Sequence, residues 1–227
     1  MAISFISGEG ANADNVTLGT HASGDILIAF AGLEGSATPP SLPAGWTNVV
    51  ATASPDNVAS RIGYKIAASS SETSGTWTNA QSLIVLVYRG QHASGPIGAN
   101  SEDSGGGTTV NYPALTLNVT DSTSWVILFC VHSWGTGTLG TPTGATARSV
   151  PAGPGGGVMV GSWDSNAGVA SWSATTGTAP GYDDYQTRAL ELIADAGGGG
   201  GTQQLFFMIG DLSGIGSPGR FFKDVLQ

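Results

Sequence analysis

The chain is poor in charge, in cysteine and in histidine, and each shortage removes a class of function. Charged residues make up 10% of the 227 positions, well below the usual quarter. Lys and Arg total 7 against 16 Asp and Glu, for a net charge of −9. Arg61, Lys65, Arg89, Arg148 and Arg188 are scattered along the chain. No patch gathers that could neutralise a phosphate backbone, so nucleic acid is not an expected partner. The one cysteine, Cys130, excludes an internal disulfide. It stands within Val126-Ile127-Leu128-Phe129-Cys130-Val131, where a thiol acts as a small buried hydrophobe and not as a nucleophile. His21, His92 and His132 lie far apart with no metal-ligand spacing. No run approaches the ~18 apolar residues of a membrane span. Met1-Ala2-Ile3-Ser4-Phe5 has neither the basic start nor the apolar stretch of a secretory leader. The expectation is a chain folded in a reducing cytosol, without membrane contact.

Catalytic motifs are missing too. There is no GxSxG elbow and no phosphate loop ending in Gly-Lys-Ser/Thr. Gly105-Gly106-Gly107 and Gly155-Gly156-Gly157 lack the following helix and lysine that cradle phosphate, and they read as loops. Glu102-Asp103 and Asp183-Asp184 are hard oxygen donors of the kind Ca²⁺ takes. Neither pair sits in a spaced ligand loop, so both read as solvated charge. No catalytic residue, metal or cofactor is assigned.

What the sequence does have is β pattern, written twice. The 36 glycines and abundant Ser and Thr suit tightly turned antiparallel sheet. Shifted by about 99 residues, the chain falls on itself. Ile26–Phe30 meets Trp125–Phe129, Pro43-Ala44-Gly45 meets Pro142-Thr143-Gly144, and Gly63-Tyr64-Lys65 meets Ser162-Trp163-Asp164. The first copy predicts strands over Ile3–Ser7, Asn15–Thr20, Asp25–Ala31, Arg61–Ala67 and Ser82–Tyr88. The second predicts them over Ala114–Val119, Ser124–His132, Val158–Trp163, Val169–Ser173 and Thr187–Ile193. Helical periodicity is absent. The predicted class is all-β: an antiparallel β-sandwich, jelly-roll-like, built from two related units with an extended C-terminal arm. The units are placed at 1–107 and 108–196.

The five glycines at 197–201 read as a flexible linker. The arm beyond, Thr202–Gln227, carries Leu205, Phe206, Phe207, Met208, Ile209, Phe221 and Phe222. So short a segment cannot build its own core and would need a surface to receive it. Among the aromatics, Trp46, Trp77, Trp163 and Trp172 fall at repeat-equivalent or alternating positions and read as core. Trp134, Tyr182 and Tyr185 lie in loop-like sequence. There they either fill space or stack on the C–H face of a sugar ring.

The order of motifs carries a resemblance. Gly24-Asp25-Ile26-Leu27-Ile28-Ala29-Phe30, then Pro43-Ala44-Gly45-Trp46-Thr47, Tyr64-Lys65-Ile66-Ala67, Trp77 and Val87-Tyr88-Arg89-Gly90 resemble β-sandwich proteins encoded by tailed bacteriophages and prophages. The resemblance spans residues 15–97, with the second unit as a degenerate copy. It implies a non-enzymatic virion structural protein on the outside of head or tail, assembled in the host cytoplasm. The expected partners are further copies of the chain and the major capsid protein or other virion proteins. An exterior capsid decoration (cement) protein is the leading expectation. A tail or fibre adhesin that binds a host surface glycan is the alternative, and a polysaccharide-cleaving enzyme on the same fold is a third.

Overall fold

The computed structural model describes residues 1–35, 38–53 and 58–195. The glycine linker and the proposed arm, with Leu205, Phe206, Phe207, Met208, Ile209, Phe221 and Phe222, lie outside the described residues. The described chain is all-β. The strands are β1 (Ser4–Ala11), β2 (Ile26–Glu34), β3 (Thr47–Ala53), β4 (Val58–Ile66), β5 (Ser82–Arg89), β6 (Ile97–Tyr112), β7 (Trp125–His132), β8 (Thr146–Ser149), β9 (Met159–Asp164) and β10 (Thr175–Leu192).

They form two five-stranded sheets, ordered β1-β5-β2-β4-β3 and β6-β10-β7-β9-β8, antiparallel throughout. The second order is the first with five added to each strand number. Irregularities repeat as well. The β3–β4 ladder slips between Asn48 and Val50, and the β8–β9 ladder slips between Ala147 and Ser149, the aligned positions. Each ladder is preceded by the same turn. Trp46 N–H donates to Pro43 C=O across Gly45 at φ +82°, and Ala145 N–H donates to Pro142 C=O across Gly144 at φ +81°. Only glycine adopts that φ without strain. A bulge is a designed feature of a ladder, so its recurrence at matched sites marks duplication more strongly than scattered identities do.

The two sheets pack face to face, β2 on β7, β4 on β10, β5 on β9 and β1 on β8. The first three of these contacts are the pattern of an internal two-fold axis, while β1 on β8 has no β3-on-β6 counterpart of similar extent. Equivalent residues therefore meet. Phe30 stacks on Phe129 with ring centroids 5.0 Å apart, and a Cβ on Gly32 would come within 2.8 Å of Val131. Around them lies the central core, with Ile28, Ile62, Ile84, Leu86, Ile127 and Val160. A polar tie from Tyr88 of β5 crosses the same interface to Asp164 of β9, which Arg148 of the neighbouring β8 also bonds. Tyr88 Oη donates to Asp164 Oδ2 at 2.8 Å, and Arg148 Nε donates to that oxygen at 2.7 Å.

Each sheet is covered on its outer face too. Trp46, Trp77, Val16 and Leu18 cover Leu27, Ala29 and Val85 of the first sheet. Val110, Tyr112, Leu115, Leu117 and Leu139 cover Leu128, Cys130 and Trp163 of the second. This is why the central strands read as unbroken apolar runs: Ile26–Ala31 and Val126–Val131 have both faces out of water. Cys130 is fully buried, as expected. Burial pushes its thiol far above the ordinary range, against a weaker opposing bond from Tyr112.

Several strand expectations need correction. Asn15–Thr20, Ala114–Val119 and Val169–Ser173 are not strands; only a single bridge joins Leu115 and Trp172. Their alternating apolar residues serve as covers, not ladder members. Conversely, Gly105-Gly106-Gly107 lies inside β6. Gly105 pairs with Tyr185, whose ring covers the space a side chain would need, 3.0 Å from an added Cβ. The unit boundary set at 107/108 cuts through β6, whose whole length belongs to the second sheet. The halves divide instead at 90–96. There His92 N–H donates to Ile193 C=O, Ile193 N–H to Pro96 C=O and Asp195 N–H to Gly90 C=O. The Met1 ammonium joins them on Asp195 C=O at 2.7 Å.

Candidate functional site

β6 and β10 run beyond the second sheet as a two-stranded ribbon, and its ladder is broken once. Thr178 pairs with Thr109 and Asp183 with Gly107, so Ala179-Pro180-Gly181-Tyr182 stand opposite Thr108 alone. The excess residues form a bulge, as Pro and Gly inside a strand lead one to expect, with Pro180 and Tyr182 exposed and Ala179 and Gly181 buried. Tyr182 at its end is 76% exposed. Trp134 from the loop after β7 is 40% exposed and lies against Gly181, where an added Cβ would sit 2.2 Å from the indole. Pro180 packs on Gly137 of the same loop, with its ring 2.9 Å from where a Cβ would be. The loop after β7 thus packs on the bulge through Trp134 on Gly181 and Pro180 on Gly137.

The Trp134 loop is braced from beneath. Trp134 N–H donates to His132 Nδ1 at 3.0 Å, which leaves the ring proton on Nε2, facing Gly107 C=O at 3.3 Å. His132 is fully buried and stacks on Tyr185, centroids 6.3 Å apart. Burial pulls its pKa below 6.5, against the Gly107 carbonyl and the charges of Asp183 and Asp184. Ser133 N–H and Oγ both donate to Asp184 C=O. The surrounding charge is negative: Asp183 follows Tyr182, and Glu34 lies close enough for burial and the Asp183 charge to raise its pKa.

Of the three sequence-selected aromatics, Trp134 and Tyr182 are exposed. Tyr185 is not. It is 2% exposed, sits in β10 and not in a loop, and its Oη accepts from Asn111 N–H. Sequence reasoning missed Pro180, Gly181 and His132, although Ala-Pro-Gly ahead of Tyr182 is a turn signal that could have flagged the bulge. Trp46, Trp77 and Trp163 are core as expected, and Trp172 is half-buried.

Other polar groups are tied up structurally. His21 Nε2 accepts from Glu72 N–H, and its Nδ1 faces Gly19 C=O. Glu102 forms an ion pair with buried Arg188 at 2.6 Å. Both acidic pairs lie in strands. Glu191 is fully buried and accepts from Ala99, Asn118 and Val119 N–H and from Ser124 Oγ. A shallow groove of about 370 Å³ lies between Asn15–Leu18 and Glu72–Gly75. Its Ser74 Oγ already accepts from Val16 N–H and donates to Gly75 C=O. Among the described residues, no three His, Cys, Asp or Glu side chains converge on a metal position, and no helix is long and apolar enough to cross a membrane. Compared with known proteins, the chain matches no family model, no curated protein and no solved structure.

Proposed function

We propose that this chain is a non-enzymatic structural protein of a bacteriophage particle, an exterior capsid decoration (cement) protein. It occupies lattice points as a homo-oligomer in contact with the major capsid protein or other virion proteins. The observation that supports this reading best is the duplicated sandwich with both outer faces sealed, giving three apolar cores in one chain. Burial on that scale favours a rigid scaffold able to persist outside a cell. The resemblance of residues 15–97 to phage β-sandwich proteins points the same way. In this reading the apolar segment 202–227 is the attachment arm. Copy number in purified particles tests it. Hundreds of copies per particle, labelled by antibody on intact heads, are expected; a handful per particle, or labelling confined to the tail, would displace it. Truncation at Gly197 should leave the compact body of residues 1–197 folded yet unable to bind particles.

A second reading, a tail or fibre adhesin for a host surface glycan, is favoured by one observation. Trp134 and Tyr182 are both aromatic residues exposed to solvent.

A further inference from the structure

The two sheets end in four edge strands, β1, β3, β6 and β8. An uncovered edge offers free N–H and C=O groups to any strand that can pair with it. Three of the four edges carry a safeguard. β8 is four residues long and holds Arg148. β6 holds Glu102 and Asp103. β1 holds Glu9, and the chain crosses its flank at Gly19 and Thr20. There Ser7 Oγ donates to Thr20 C=O, and an added Cβ on Gly19 would come within 2.7 Å of Ser7. β3 has neither charge nor proline. It reads Thr-Asn-Val-Val-Ala-Thr-Ala, and four of its seven residues are β-branched, a composition suited to pairing. Thr47, Asn48 and Ala51 are exposed. Among the described residues, no backbone–backbone bond other than the β4 ladder reaches it.

The duplicate shows what a closed flank looks like. Each bulge leaves one residue out of its ladder, Val49 in β3 and Arg148 in β8. The Arg148 guanidinium lies over Phe5 of β1, 4.3 Å from the ring centroid, and bonds Asp164 Oδ2 and Asn166 Oδ1. Tyr64 is the counterpart of Asp164, since each stands opposite an isoleucine of the central strand, Ile28 and Ile127. Two residues on, Ile66 matches Asn166. The polar clamp that closes the β8 flank is thus replaced on the β3 flank by Val49, Tyr64 and Ile66, and Ile66 is 41% exposed. Arg61 of the neighbouring β4 is held by Pro40 C=O and Asn48 Oδ1.

Charge selects the occupant. The chain carries −9, so copies repel at most approaches. Antiparallel self-pairing sets an edge against itself. On β1, β6 or β8 it brings Glu9, the Glu102–Asp103 pair or Arg148 close to its own copy, which like charges oppose. On β3 no charge meets another. Pairing about Ala51 sets Val50 opposite Thr52 and Val49 opposite Ala53. We infer that β3 is the self-association edge of this protein. Two copies pair β3 with β3 about a two-fold axis, a closed isologous contact, and join their first sheets into one of ten strands. This deepens the homo-oligomer of the proposed function and rests on that reading only in taking a second copy as the partner. The contact is measured in free solution, so its failure leaves the copy number on particles to be decided separately.

Sedimentation velocity of the full chain over a concentration series tests this. A reversible monomer–dimer equilibrium is expected. Val49→Arg, which writes the residue of β8 into β3, and Ala51→Glu should each raise the dissociation constant about tenfold or more. Asp103→Asn on β6 should leave it within about twofold. Circular dichroism and the melting curve of each variant separate loss of the contact from loss of the fold. Because Cys130 is fully buried, mild oxidation of Ala51→Cys reports the new thiol alone. A disulfide-linked dimer should form, and Asp103→Cys should give none at the same concentration. A monomer at every concentration, a dimer indifferent to both β3 variants, or an open series of larger species overturns the pairing.

Discussion

The two halves of this chain share strand order, bulges and turns, yet fill the same volumes by different means. Ladder registers place Gly63 of β4 opposite Ala29, and Trp163 of β9 opposite Leu128, the residue aligned with Ala29. Gly63 and Trp163 are therefore equivalent, and the alignment of Gly63 with Ser162 is off by one. In the first half, Trp77 from a covering segment lies over Gly63, its ring 2.9 Å from where a Cβ would be. In the second, Trp163 on the strand itself fills the outer core, folding over Gly161 and meeting Tyr112 edge-on at 5.6 Å. Duplication has preserved volume and backbone, not residue identity, which is what close packing demands.

The axis residues should give the largest effects. Phe30→Ala and Phe129→Ala should each cost about 4 kcal/mol in urea unfolding. If the halves are energetically equivalent there, the two losses should agree to within about 1 kcal/mol, and the double variant should show coupling of about 1 kcal/mol. A large disparity would break the symmetry that the backbone displays.

Next comes Glu191, whose register partner on β7 is Val126; Val87 holds the matching place opposite Leu27. Glu191→Val makes the second half resemble the first but orphans the amides of Ala99, Asn118 and Val119 and the hydroxyl of Ser124. A loss of about 3 kcal/mol is expected, against about 2 kcal/mol for Val87→Ala. Equal stability of Glu191→Val and wild type would mean that the four donors find other partners.

Gly63→Ala sharpens the packing contrast. Its methyl would meet Leu42 at 2.7 Å, the Trp77 ring at 2.9 Å and the Thr47 carbonyl at 3.2 Å. About 2 kcal/mol should be lost, and Trp77→Leu in the same chain should recover part of it. No recovery would show that the carbonyl, not the indole, sets the limit.

Much of the central architecture was legible in the sequence because β2, β5 and β7 are continuous apolar runs that only a doubly covered strand tolerates. β3 and β8, Thr47–Ala53 and Thr146–Ser149, are short and half-exposed, so they carry no alternation to read. β6 was hidden by its glycines, whose partner ring comes from Tyr185, 80 positions away in the numbering and invisible to local pattern. Val16, Leu18, Leu115 and Leu117 misled because a cover over a sheet alternates as a strand does. The candidate site was half visible: the exposed Trp134 and Tyr182 belong to residue types that stand out, whereas the glycine and histidine that hold Trp134 do not.

The smallest expected effect is a difference in acid sensitivity. In the first half, burial alone would raise the Asp25 pKa. The Arg89 pair at 2.6 and 2.9 Å and the Ala22 N–H outweigh it, so the net value falls below 3.8. Stability from this group is present above 3.8 and lost as pH falls through the lower folded value. In the second half, burial lowers His132 below 6.5, so its contribution is present above 6.5 and fades as pH falls through the depressed value. Protonation at Nδ1 would also set a proton against Trp134 N–H. Hydrogen exchange followed from about pH 8 to pH 3 should therefore show β7 and the Trp134 loop losing protection before β2. Simultaneous loss would mean that one cooperative event governs both halves.

The position of β10 has a mechanical consequence. Whatever is joined to the body through residue 196 onward pulls on the end of a strand bonded on one side to β6 and on the other to β7. Tension along that strand loads two ladders in shear, where many bonds must yield together, instead of peeling one edge a bond at a time. The Asp195 contacts with Gly90 and Met1 pass part of the same load into the first half. A tether placed there is anchored inside a sheet and not on its edge.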